Sequence, residues 1–248
     1  MRNYQAPKDL LENQVILITG AGEGIGRAAA HAFAAHGAAL ILVGRTASKL
    51  EDLAQELNTQ GFASPLVCTL DLETAQEQDY FDLAERIQQR WGRLDGLLHN
   101  ASILGDMTSL EHYPMATWNS VMQINLNAPL HMTQALLPLL KKSDSASLLF
   151  TSSSVGRKAR GNWGAYSVSK FGVEAVMQIL TQELEHTAIR VNSINPGATR
   201  TKMRASAYPN EDPQSLTRPE SLMPIYLYLM GRDSSHLTGQ AVDAQPKK

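Results

Sequence analysis

Apolar residues along this chain keep two rhythms. Short closed runs, Val15-Ile16-Leu17-Ile18 first among them, recur at 39–43, 66–70, 94–99, 147–151 and 189–194. Each is brief, rich in leucine or β-branched residues, and bounded by Gly, Asp, Asn or Ser, so each predicts a strand buried on both faces. Between them apolar positions return every three or four residues, which predicts helices over 25–36, 48–59, 75–91, 118–137 and 165–187, with an apolar helix at 223–230. Gly37 interrupts the first helix. Ser48-Lys49-Leu50-Glu51 has the form of a capping box for the second, with Thr46 as the competing cap. Because each buried strand must return through a crossover helix, the alternation predicts a doubly wound α/β domain with a mainly parallel sheet and helices on both faces. No linker or internal repeat divides it. The least regular stretch, 196–219, falls at the ligand edge of such a sheet and reads as a substrate flap or a fixed surface excursion.

Composition narrows the classes. The chain has 248 residues, 43% of them hydrophobic, which suffices for one ordinary core. A formal charge of −2 gives no general reason to expect nucleic acid or anionic membrane as a partner. The single cysteine, Cys68, rules out an intrachain disulfide and disfavours structural zinc, so a reducing, cytoplasmic compartment is expected. The seven histidines form no ligand-like spacing, and no catalytic metal is expected. The polar N-terminus lacks the apolar segment of a secretory leader, and the longest apolar runs, such as 38–43, are far shorter than the roughly 20 residues of a membrane span.

Candidate chemistry begins after the first strand. Thr19-Gly20-Ala21-Gly22-Glu23-Gly24-Ile25-Gly26 joins that strand to the first helix. Gly20, Gly24 and Gly26 permit a tight turn and close backbone approach, and the helix N-terminus offers free N–H groups to a pyrophosphate. No Gly-Lys-Ser/Thr follows, which disfavours a P-loop. The second strand ends in Gly44-Arg45-Thr46, where NAD sites often carry an acid; Arg45 suits an adenosine 2′-phosphate, so NADP(H) is the expected cofactor, with NAD(H) possible. Glu23 is unfavourable in a phosphate loop unless it points outward. Asp71-Leu72 can meet the adenine, or Asp71 can cap the next helix. Asn100-Ala101-Ser102 offers small residues for close cofactor approach, and Asn195-Pro196-Gly197 can bring main-chain groups towards a nicotinamide amide.

Further along, Tyr166 and Lys170 stand four apart near the start of a predicted helix and share a face. A lysine so placed favours the tyrosinate and brings a phenol towards acid/base use. The Ser152-Ser153-Ser154 run closing the fifth strand can supply a hydroxyl to a substrate oxygen or serve as loop caps, and the run alone does not choose among the three. Asn125, with Asn127 as competitor, sits inside a helix pattern and can hold a water through its side chain or a locally altered backbone.

These motifs together resemble the short-chain dehydrogenase/reductase family over nearly the whole chain. The family's Thr-Gly-x-x-x-Gly-x-Gly signature matches Thr19 through Gly26, Ile25 included, and its Asn-Asn-Ala-Gly segment is here His99-Asn100-Ala101-Ser102. The resemblance implies one Rossmann domain over 1–248, with a substrate-access segment at 198–222. It implies an NADP-dependent oxidoreductase moving hydride between nicotinamide and a carbonyl/alcohol substrate. It assigns Asn125, Ser153, Tyr166 and Lys170 as the catalytic tetrad. Gly20, Gly24, Ile25, Gly26, Arg45, Asp71, Leu72, Asn100, Ala101, Tyr166, Lys170, Pro196, Gly197, Thr199 and Thr201 then contact the cofactor. His99 and Ser102 depart from the family pattern without removing the tetrad. Segments such as Ser-Ser-Ser-Val-Gly-Arg resemble a narrower bacterial branch. The competing class is an NADP-binding sensor or scaffold with a vestigial site.

Two basic groups, Arg157-Lys158-Ala159-Arg160 and Arg200, Lys202 and Arg204, could converge on an acidic substrate, and Met203, Tyr208, Met223 and Tyr226 could line its pocket. The long helices over 115–137 and 165–187 could serve a homodimer or homotetramer.

Overall fold

The computed structural model describes residues 1 and 3–246. Seven strands, β1 Val15–Thr19, β2 Ala39–Gly44, β3 Leu66–Thr69, β4 Gly96–His99, β5 Ala146–Thr151, β6 Ile189–Asn195 and β7 Ala241–Asp243, form one sheet in the order β3-β2-β1-β4-β5-β6-β7. Every neighbouring pair is parallel. After β3 the chain crosses back to place β4 beside β1, so the order reverses between β1 and β4 and a crevice opens at their carboxyl ends.

The period of two along the strands feeds two cores. On one face Ile16, Ile18, Leu40 and Leu42 pack with Phe33 of α1 (Gly24–Ala35), Leu50, Leu53 and Leu57 of α2 (Ala47–Thr59), and the apolar residues of the helix at Met223–Met230. On the other, Val15, Leu17, Ile41 and Val43 meet Tyr80, Leu83 and Ile87 of α3 (Glu77–Trp91), with later helices completing the layer. Consecutive buried residues therefore serve opposite layers, which is why β1 and β2 read as unbroken apolar runs. Truncating any of these leucines to alanine removes about 2–5 kcal/mol.

Several elements differ from the sequence expectation. The helix expected at 118–137 is α4 (Met115–Met122), a π-helical segment at Gln123–Asn127, and α5 (Ala128–Leu140). Pro129 has no N–H to offer the Asn125 carbonyl four residues earlier, so α-helical bonding cannot run straight through. The helix expected at 165–187 is α6 (Gly164–Glu183). Thr46, not Ser48, is the N-cap of α2, and Ser48 lies inside the helix. β7, only three residues long, carries no apolar run and was not predicted.

The 196–219 stretch is neither strand nor open loop. It holds α7 (Lys202–Ala207), and Thr199 bridges Thr217 with Arg200 N–H donating to the Thr217 carbonyl at 2.9 Å. Arg204 binds Glu211 through two bonds of 2.5 and 2.6 Å and lies over the Tyr208 ring. α8 (Met223–Met230) follows, with Met223 and Tyr226 in the core and not in a pocket. Among the described residues, no helix is long and apolar enough to cross a membrane.

Candidate active site

At the carboxyl end of the sheet lies a cavity of about 720 Å³, within the range of small-molecule sites. The loop from β1 to α1 forms one wall. Gly20 and Gly24 have φ of +66° and +57°, a region that favours glycine. A Cβ on Gly20 would stand 2.9 Å from the Ala101 Cα, and one on Gly26 only 2.2 Å from the Gly20 carbonyl oxygen. Thr19 Oγ1 accepts from the Asn100 and Ala101 N–H groups at 2.9 and 3.0 Å, tying the ends of β1 and β4 across the topological switch. This cradle, open at a helix N-terminus, fits a pyrophosphate.

Ile25, Arg45, Asp71, Leu72, Asn100, and Ala101 all line the cavity, whereas Gly26 lies behind its wall. Arg45 is exposed and makes no hydrogen bond or ion pair among the described residues. Asp71 does not cap the next helix, whose N-cap is Gln76; its Oδ1 accepts from Glu73 N–H at 3.1 Å in a local turn. Pro196, Gly197, Thr199 and Thr201 line the opposite side. Gln245 was missed in the sequence: its Nε2 donates to the Pro196 and Ala198 carbonyls at 2.8 and 2.9 Å and so fixes the Pro-Gly turn. No local pattern marks a glutamine near the C-terminus for that task.

The structure brings Ser153, Tyr166 and Lys170 together. Ser153 and Tyr166 both face the cavity, and the Ser153 hydroxyl is near enough to the phenol to favour its ionised form. Of its neighbours, Ser154 is exposed, while Ser152 Oγ is buried in the cavity wall with no partner among the described residues. Lys170, 2% exposed, donates to the Thr151 carbonyl at 2.8 Å and lies 5.6 Å from the Tyr166 ring centroid. Burial pushes the Tyr166 pKa up to about 12, outweighing the opposing influence of the Ser153 hydroxyl. The direction is opposite to the one the Tyr-Lys spacing suggests. Burial also brings Lys170 down to about 8 against the opposing charge of Glu174. His99, stacked on Phe150 and bonded to Thr133 Oγ1 at 2.8 Å, is held down to about 3 by burial and then by the Lys170 charge, so it stays neutral.

Asn125 sits inside the π-helical segment, 1% exposed. Its side chain is taken up by structure: Oδ1 accepts from Ile103 N–H at 2.9 Å, and Nδ2 donates to the Ile103 carbonyl and Ser169 Oγ at 2.9 and 3.1 Å. Asn127 instead bonds Gln123 on the surface.

Only the second of the two basic groups reaches the cavity. Arg157 pairs with Glu174 and Asp243, each at 2.8 Å, and also bonds Ser193. It thereby pins the turn after Ser153 to α6 and to the β6–β7 pair. Lys158 and Arg160 are exposed, whereas Arg200, Lys202, Met203 and Arg204 line the cavity. Tyr208 stands outside the lining and packs on Trp163, which does line it. Among the described residues no group of three or more His, Cys, Asp or Glu could hold a metal ion.

Residues 14–212 match the family model for short chain dehydrogenases. The chain is 52% identical over 244 residues to the oxidoreductase YciK of Escherichia coli K12, covering 98% of this chain and 96% of that protein. A short chain dehydrogenase structure from Pseudomonas syringae superposes with a TM-score of 0.96 at 56% identity, covering 98% of this chain and 99% of that one. Another from Shigella flexneri, complexed with NADP, gives 0.95 at 52% identity, covering 97% and 100%. The chain belongs to the short-chain dehydrogenase/reductase family and closely resembles its YciK-type oxidoreductases. Nicotinamide-dependent hydride transfer is accordingly its class of chemistry.

Proposed function

We propose that this family member is an NADP(H)-preferring reductase of a small carbonyl substrate, with Tyr166 as proton donor. The observation that carries the reading is the buried Tyr166 phenol at the cavity wall, with the Ser153 hydroxyl against it and Lys170 one helical turn on. NADPH, when bound, supplies the hydride. Ser153 orients and polarises the carbonyl oxygen, and Tyr166 delivers a proton to that oxygen as the hydride reaches carbon. A phenol pushed up to about 12 keeps its proton at neutral pH, the form that can donate it. Lys170 would hold the nicotinamide ribose, and Asn125, whose side chain fixes Ile103 and Ser169 beside it, would support a water relay that returns the proton.

The phosphate-loop cradle, Asp71 and Leu72 receive the adenosine half. Arg45, exposed at the rim where a NAD site carries an acid, supports reading of the 2′-phosphate. The NADP complex of the Shigella relative supports the same preference. Residues 198–222 act as the access segment over the substrate end. Exposed Val168, Phe171 and Ile179 on α6, with Met115 on α4, support pairing of these helices in a homodimer or homotetramer.

The test is a turnover screen against aldehydes, ketones, quinones and 3-oxoacyl thioesters, with NADPH and NADH in parallel. Tyr166→Phe is expected to lose turnover and retain NADPH binding. Equal turnover in that variant overturns the role of Tyr166. Tight NADPH binding by the native protein without turnover of any carbonyl favours a sensor instead.

A further inference from the structure

Glu23 ends the phosphate loop immediately before α1 and lines the cavity. A carboxylate there repels an incoming phosphate. The structure shows what it does instead: Glu23 Oε2 accepts from Lys49 Nζ at 2.7 Å and from Lys202 Nζ at 3.1 Å. Lys49 comes from α2, one turn after Arg45, and Lys202 is the first residue of α7. Both lysines also line the cavity, so one carboxylate oxygen joins two of its walls. The two ammonium groups, Lys49 first, hold the Glu23 carboxyl below the usual carboxylate range. All three side chains are substantially exposed, at 51%, 42% and 80% for Glu23, Lys49 and Lys202, so these pairs are weak and open readily to a competing anion.

We propose that Glu23 is a built-in stand-in for cofactor phosphate: it holds Lys49 and Lys202 at the mouth of the cleft until the 2′-phosphate of NADP(H) displaces it from Lys49, and it thereby weakens cofactor binding. The inference rests on the reading of the cleft as an NADP(H) site. Lys49 joins Arg45 as a reader of the 2′-phosphate, because the two cations flank the same end of β2. Release of Glu23 leaves it facing Lys202 alone, which keeps α7 tethered to the phosphate loop while the cofactor is held.

Binding of NADPH, NADH, 2′,5′-ADP and 5′-ADP to the full chain, followed by calorimetry at low and high salt, tests this. Glu23→Gln is expected to tighten NADPH and 2′,5′-ADP about threefold to tenfold at low salt, the scale of one or two exposed ion pairs. NADH and 5′-ADP should change by less than half as much on a logarithmic scale. Lys49→Met should weaken NADPH and 2′,5′-ADP, and in Glu23→Gln/Lys49→Met most of the gain from the first substitution should vanish. Unchanged or weaker NADPH binding in Glu23→Gln overturns the proposal, as does an equal gain for NADH or a gain that survives Lys49→Met. If the native protein binds neither NADPH nor 2′,5′-ADP, the NADP(H) reading fails and this inference falls with it. Native binding without the Glu23→Gln gain overturns this inference alone.

Discussion

Replacing Lys170 by methionine should make the protein more stable while abolishing turnover. Lys170 is 2% exposed, and its pKa falls from an ordinary 10.5 to about 8 in the folded chain. The unfolded chain therefore binds this proton more tightly than the folded one, so the native state is penalised at every pH below 10.5. At pH 7, below both values, the cost is about 3 kcal/mol; at pH 10 it has shrunk to about 1 kcal/mol. Methionine removes that penalty and fills similar space, but it leaves the Thr151 carbonyl without its 2.8 Å partner, a loss of about 1 kcal/mol. The expected net gain is about 2 kcal/mol at pH 7 and near zero at pH 10. For a domain of this size that is a rise in Tm of about 4–8 °C at neutral pH.

The assay is thermal unfolding of native protein and Lys170→Met in parallel from pH 7 to pH 10, with NADPH oxidation followed on the same samples. The difference between the two proteins isolates this one group from everything else that titrates in that window. A variant less stable than native at pH 7 would refute the argument. So would a stability difference that stays constant between pH 7 and pH 10, because a packing effect has no reason to follow the lysine's proton.

Other perturbations test the remaining parts. Arg157→Leu leaves the Glu174 and Asp243 carboxylates without their shared guanidinium; a loss of about 3 kcal/mol is expected in urea unfolding, with more than half regained in Arg157→Leu/Glu174→Leu. Gly26→Ala places a methyl 2.2 Å from the Gly20 carbonyl oxygen, so NADPH binding should weaken at least about tenfold by fluorescence titration while unfolding stays cooperative. Pro129→Ala restores an N–H that can close an α-helical bond to Asn125, and turnover should fall roughly tenfold or more with NADPH affinity unchanged. For carbonyl reduction, kcat/KM should fall as pH rises through about 8, where Lys170 loses its proton, and not near neutrality on account of Tyr166, whose proton is held to about 12.

What could be read from the chain follows from how local each cause is. The central strands were legible because burial on both faces leaves an apolar run, as in Val15 to Thr19, and the cradle was legible because Gly20, Gly24 and Gly26 each answer a local steric demand. β7 was not, since three residues paired to β6 need no apolar run of their own. The π-helical segment hid for a different reason: Met115 to Leu140 keeps one apolar periodicity through a register change, and only Pro129 hints that a bond is missing. Gln245 and the Lys49-Glu23-Lys202 bridge join residues far apart in the chain, and no window of sequence contains them.

The Tyr166 shift runs against its motif because burial, which spacing does not encode, sets its direction. Spacing of four places Lys170 on the same face as Tyr166, and in water that neighbour would lower the phenol's pKa. Burial acts on both groups at once and in opposite senses: it raises Tyr166 to about 12 and lowers Lys170 to about 8, so it opposes charge on each. The helix thus presents a proton-retaining phenol beside a lysine brought down to about 8 by burial, against the opposing charge of Glu174, which Arg157 fixes from the turn that carries Ser153. In the proposed reductase, that gradient would carry a proton from lysine to phenol to substrate oxygen. It arises from the depth of the helix in the fold, which the Tyr-x-x-x-Lys pattern does not encode.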